Sequence, residues 1–263
     1  MCAYVATTLL LLWLRLPLGH LQLPLEQWTG LISVALATLL IVASWERGRW
    51  PLGLFVRPLL ALRDFAFGSL FGAFLVGGAA LLVVLTTQVR HAWGGGFPWR
   101  EALAVYLPAA VHEELLFRGY GFQKLYAWRP GFALWLVALF FAALHLGNPS
   151  LSWIGIANIF LGGLLLGLAY ARYGRLWLPI GLHLAWNLMS GPILGHEVSG
   201  YESLSTVLVE LGDGPEWLTG GEFGIEGSIW MTVAELVGIA VLARRISSAR
   251  RTFSSGIQEK ESI

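Results

Sequence analysis

Residues 130–171, PGFALWLVALFFAALHLGNPSLSWIGIANIFLGGLLLGLAYA, run for 42 positions without an Asp, Glu, Lys or Arg. About 20 apolar residues carry a helix across the hydrocarbon of a bilayer, so this run is too long for one span and suits two. Gly147-Asn148-Pro149-Ser150 supplies the turn that divides it. The whole chain agrees: hydrophobic residues make up 56% of 263 and DEKR only 13%, against roughly 25% charged in soluble domains. The fold class that follows is all-α, a polytopic membrane protein with a bundle of about eight transmembrane helices around an interior polar site.

Working outward, the remaining spans are expected over Tyr4 to Leu18, Gln27 to Ser44, Phe65 to Val89, Glu101 to Leu125, Leu176 to Pro192 and Gly227 to Ala243. Gly68 and Gly72 in the third are four apart, the spacing at which small residues let two helices approach. The basic residues orient the layout. With both termini cytoplasmic, the inner side collects 13 Lys and Arg, and the outer loops keep only Arg90 and Arg100. Ala92 to Pro98 reads as a flexible turn, and Ile193 to Glu226, with seven acids and no Lys or Arg, as a polar connection. The chain thus divides into N-terminal helices and a basic loop (1–100), a core (101–192), and an acidic loop, last helix and polar tail (193–263). A single cysteine, Cys2, excludes a disulfide framework and a multi-thiolate metal site. Tyr4 to Leu18 lacks a basic leader and a cleavage site and reads as a retained span.

Chemistry is concentrated in Val111-His112-Glu113-Glu114-Leu115-Leu116-Phe117-Arg118-Gly119-Tyr120. Ionisable residues at membrane depth cost on the order of 2.5–3.5 kcal/mol each on insertion scales, so they usually face the bundle interior and serve a function. Glu114 and Arg118 are four apart and can neutralise each other on one helix face. Glu113 points about 100° away from that pair. Phe141 and His145 share a face of a later helix, and His183 and Asn187 share one of another. A glutamate, two histidines and an asparagine make a general base, a partner for its proton, and donors for an oxyanion, which suits attack of water on an amide or ester carbonyl. Taken singly, either histidine could equally be an interhelical hydrogen-bonding residue. Glu235 and His112 also sit at membrane depth and default to hydrogen-bonded or solvated roles, while His20, His91 and His196 need no special role.

Other intramembrane chemistries fail on single positions. A zinc helix of the H-E-x-x-H kind needs histidine where Leu116 stands. A G-x-S-G serine site meets Leu188, and a G-x-G-D aspartyl site meets Glu210.

Glu113-Glu114-x-x-x-Arg118, Phe141-x-x-x-His145 and His183-x-x-x-Asn187, in that order, resemble the three-motif signature of the CPBP family. That family takes in the CAAX prenyl-protein endopeptidases and bacterial proteins tied to bacteriocin processing or immunity. Phe117-Arg118-Gly119-Tyr120 and Leu176 to His183 agree with it, and the likeness covers about Glu101 to Pro192. The resemblance implies an eight-helix intramembrane endopeptidase acting on membrane-associated or lipidated peptides. Glu113 and His145 would activate water, His183 and Asn187 would hold the oxyanion, and Glu114 and Arg118 would support the site. A metal-free mechanism with no cofactor is expected; Glu113, His145 and His183 around one zinc ion form the less favoured alternative. The expected setting is a bacterial inner membrane, with no nucleic-acid partner. A non-enzymatic scaffold or immunity protein and a proton-coupled transporter are the rival classes.

Overall fold

The computed structural model describes residues 22–45, 53–54, 56–203 and 206–244. Cys2, His20, the expected Tyr4 to Leu18 span and the tail beyond Arg244 lie outside these residues. The described chain is mostly helical. Helix α1 covers Gln22–Trp45 and α2 covers Pro58–Thr86. Proline at the start of α2 needs no partner for an N–H and has its φ set for a helix. A helical turn at Trp99–Glu101 runs through a π-helical turn at Ala102–Tyr106 into α3, Leu107–Arg118. The π turn ends two residues before Pro108. Proline removes one hydrogen bond of a helix and crowds the carbonyl four residues back, and a locally wider turn relieves both.

Next come α4 (Tyr120–Trp128), α5 (Pro130–Leu144), α6 (Trp153–Tyr173) and α7 (Trp177–Leu188), which continues into a second π turn, Met189–Ile193, holding Pro192. Helix α6 is bounded by local chemistry at both ends. Ser152 caps it by accepting the Gly155 N–H at 2.9 Å, and Gly174 stops it in the left-handed region at φ 62°. The last described helix, α8, covers 229–244.

Three of these helices, α1, α2 and α6, are long and apolar enough to cross a membrane. Helix α5 has 15 residues, which is about 22 Å and short of a hydrocarbon core of about 30 Å. Large apolar side chains stand outward along α1, α2 and α5, among them Leu40, Leu70, Phe74 and Leu139, as expected of helices whose solvent is lipid.

The structure differs from the sequence reading in three places. The expected single helix from Glu101 to Leu125 breaks at Gly119, where a Cβ would collide with the carbonyl oxygen of Leu115. The expected flexible turn begins as strand β1, Arg90–Trp93, which pairs antiparallel with β2, Leu208–Leu211, with His91 opposite Glu210. The acidic connection is accordingly a folded cap and not a solvated loop. Its Glu226 is buried and accepts from the Trp186 indole (2.7 Å) and from the Ser199 backbone N–H (2.7 Å) and hydroxyl (2.6 Å).

The main apolar core joins α2, α6, α7 and α8 through Leu75, Val76, Leu165, Leu182, Met231 and Leu242. Helices α2 and α7 approach backbone to backbone. A Cβ at Gly68 would strike the Leu178 carbonyl oxygen, and one at Gly72 would stand 2.6 Å from that of Leu182. The Gly68/Gly72 spacing therefore marks a close crossing, and it fixes the height and rotation of α7.

Candidate active site

Helix α3 brings Glu113, Glu114 and Arg118, and α7 brings His183, to one interior seam. Glu114 and Arg118 are fully buried, and Arg118 Nη1 donates to Glu114 Oε1 at 3.1 Å. The other end of the guanidinium, Nη2, donates to the Gly163 carbonyl of α6 at 2.8 Å. Its face lies 5.0 Å from the centre of the Phe141 ring, close enough for cation–π attraction. Gln123 Nε2 donates to the Arg118 carbonyl at 3.0 Å, satisfying a backbone acceptor at the end of α3. Arg118 thus ties α3 to α6, and Glu114 is the anion that makes its burial tolerable.

Glu114 Oε1 also accepts from His183 Nδ1 at 2.8 Å. A carboxylate only accepts, so the His183 proton is at Nδ1 and Nε2 is turned the other way. There it faces Glu113, whose Oε2 lies 3.9 Å off. The Glu113 side chain is 23% exposed, yet Oε2 itself is shielded and takes no hydrogen bond among the described residues. The result is a continuous chain, Arg118 to Glu114 to His183 to Glu113. It starts at a buried cation and ends at a carboxylate with a free oxygen.

The remaining sequence-predicted residues stand beside this chain. His145 caps the C-terminus of α5, half-buried, and its Nδ1 hydrogen-bonds to the Phe141 carbonyl at 2.7 Å. With the proton there, Nε2 is the basic nitrogen. The Phe141 ring is 4.6 Å from the His145 ring and 6.3 Å from that of His183, so one aromatic positions both imidazoles. No hydrogen bond or ion pair joins His145 to Glu113 among the described residues. Asn187 is half-buried one turn after His183, with no hydrogen-bond partner among the described residues. His112, buried on the other face of α3, lies where a Cβ at Gly30 of α1 would touch its ring at 2.9 Å.

Sequence reasoning missed the supports of the seam. Asn158 of α6 donates to the carbonyls of Glu226 (2.8 Å) and Ser228 (2.9 Å) and accepts from Thr232 of α8 at 2.6 Å. Trp186, next to Asn187, is held by Glu226. Asn158 stands alone in an apolar run and Glu226 lies in an acidic loop, so neither carried a spacing signal.

Residues 95–189 match the family model described as Rce1-like, type II CAAX prenyl endopeptidase. The match covers about a third of the chain and supports membership of the CPBP family. The Rce1-like family is a protease family, and the match together with the apolar helices suggests an integral membrane protein. An uncharacterized 24.3 kDa protein of Escherichia coli is 34% identical over 85 residues, which is 31% of this chain and 38% of that protein. The chain therefore covers well under half of that relative's length. No solved structure matches. As for a metal, no three His, Cys, Asp or Glu side chains among the described residues converge on one point. His183 Nδ1 is engaged by Glu114, which leaves Nε2 as its available ring nitrogen.

Proposed function

We propose that this CPBP chain is an intramembrane endopeptidase that hydrolyses a peptide bond with glutamate-activated water. The observation that carries the reading is the Arg118–Glu114–His183–Glu113 chain, which sets a partly exposed carboxylate opposite a buried imidazole inside a membrane bundle. Glu113 takes a proton from water as the oxygen attacks the substrate carbonyl, forming a tetrahedral oxyanion. The Asn187 amide and the Nε2–H of protonated His183 donate to that oxyanion. His145, whose Nε2 is free of its Phe141 contact, orients the water beside Glu113. Glu113 then passes its proton to the leaving amine as the carbon–nitrogen bond breaks, which returns the carboxylate. Glu114 and Arg118 support the site: Glu114 accepts the His183 Nδ1–H and so orients the ring, and its negative charge favours the protonated imidazole.

The protein works with no cofactor in an eight-helix bundle, in a bacterial inner membrane with both termini cytoplasmic. Its substrates are membrane-associated or lipidated peptides. The test is cleavage of a quenched library of apolar and lipidated peptides by purified protein in detergent, with wild type beside Glu113→Gln, each with and without a chelator. Cleavage lost in Glu113→Gln and untouched by the chelator is the expected result. Loss with the chelator overturns the metal-free mechanism. A Glu113→Gln variant that keeps the cellular phenotype overturns the enzyme in favour of a scaffold or immunity protein.

A further inference from the structure

At the end of the bundle where α2 begins and α6 gives way to α7, three guanidinium groups surround one aromatic ring. Arg63 of α2, Arg172 at the end of α6 and Arg175 in the connection lie 5.4, 4.9 and 5.0 Å from the centre of Tyr173. One carboxylate serves them. Asp64, fully buried, accepts from Arg63 Nη2 at 3.0 Å through Oδ1 and from Arg175 Nε at 2.5 Å through Oδ2. Both of its oxygens are then occupied, and among the described residues Arg172 has the ring face alone. Among the described residues, three cations against one anion leave an excess of two positive charges within one ring's reach.

The Arg63 side chain is 56% exposed, so part of this charge faces outward. Beside it, on the same turns of α2, Leu59 and Leu62 stand out of the protein, and Phe67, Leu70 and Phe74 extend the apolar face along the helix. A cationic cluster at a helix end, continuous with an exposed apolar face, complements a molecule with an anionic head and a long apolar tail. We propose that the Arg63/Arg172/Arg175 cluster around Tyr173 is a binding site for the headgroup of an anionic phospholipid, whose acyl chain lies along α2. Guanidinium forks match phosphate oxygens, and basic pockets between helices at a membrane face are where such headgroups are held.

The test is thermal unfolding of the purified full chain in mixed micelles, titrated with phosphatidylglycerol or with phosphatidylcholine. Wild type is expected to show a saturable rise in midpoint with phosphatidylglycerol only. Arg172→Gln, which leaves both Asp64 contacts intact, is expected to need about fivefold more phosphatidylglycerol for half the effect. Arg63→Gln is expected to do the same, while Arg129→Gln, a basic residue away from the cluster, titrates as wild type. An equal response in all three variants overturns the site by making the effect a general surface charge. An equal rise with inorganic phosphate or glycerol phosphate overturns the lipid as ligand, and no rise with phosphatidylglycerol overturns both.

Discussion

Glu113 and Glu114 are neighbours in sequence and opposites in circumstance. Glu114 is spent on structure: its Oε1 takes hydrogen bonds from Arg118 and His183, and its burial is complete. Glu113 is 23% exposed, and its Oε2 takes no hydrogen bond among the described residues. Two substitutions separate these roles. Glu113→Gln breaks no hydrogen bond among the described residues and loses only the 3.9 Å contact with His183, so its unfolding midpoint should stay close to wild type while turnover is lost. Arg118→Ala leaves Glu114 as an uncompensated buried charge and opens the contacts to Gly163 and Phe141, which should cost about 3–5 kcal/mol. Thermal unfolding of both variants in detergent checks this, and equal losses would sink the division of labour.

At the scale of elements, the site depends on where helices stop. Read from sequence, the Glu101 to Leu125 helix puts Glu113 at its middle, while His183 lies near the start of its own span. Those two heights disagree. The break at Gly119 removes the conflict between these two, because it leaves Glu113 five residues from the end of α3 and His183 six from the start of α7, while His145 keeps its place at the far end of the 15-residue α5. At about 1.5 Å per residue these are depths of about 8 and 9 Å from the same end of the bundle. The helix-spaced pairs and the order of spans were legible because apolar length and i, i+4 spacing are local. The Gly119 break was not, since it turns on one Cβ meeting one carbonyl, and neither was the pairing of β1 with β2 across more than a hundred residues. The Gly68/Gly72 spacing gained its meaning only when α7 was seen against it. Gly72→Val should push α7 away from α2, cost about 1–3 kcal/mol through overpacking, and lower turnover by moving His183. A Gly72→Val protein with wild-type stability and turnover would show that α2 does not set the height of α7.

Over the whole molecule, the folded cap introduces a pH dependence away from the site. His91 of β1 stands edge-on to His196, with ring centres 5.4 Å apart, and His196 pairs with Glu210 of β2. Burial, then the nearby His196, hold the His91 pKa below its ordinary 6.5, with Glu210 opposing. The unfolded chain therefore takes up this proton at a higher pH than the folded one does. The stabilisation from neutral His91 is present above about 6.5 and is lost as the pH falls below it. Glu197 in the same cap is raised by burial and acts in the opposite sense, so the difference between proteins is the clean readout. Between pH 7 and 5, the unfolding midpoint of wild type should fall more than that of His91→Gln; parallel curves for the two would remove His91 as the source.

The cap also bears on what could be cut from this chain. The segment shared with the family, 95–189, contains neither strand of the sheet, since β1 ends before it and β2 begins after it. It lacks α2, whose glycines seat α7, and it lacks Glu226, which holds the indole beside Asn187. Every ionisable residue proposed for the reaction would survive excision of that segment, but the partners that hold α7 in place would not. What is shared in sequence here is a set of reagents, and the vessel that holds them in register is built from the parts outside it.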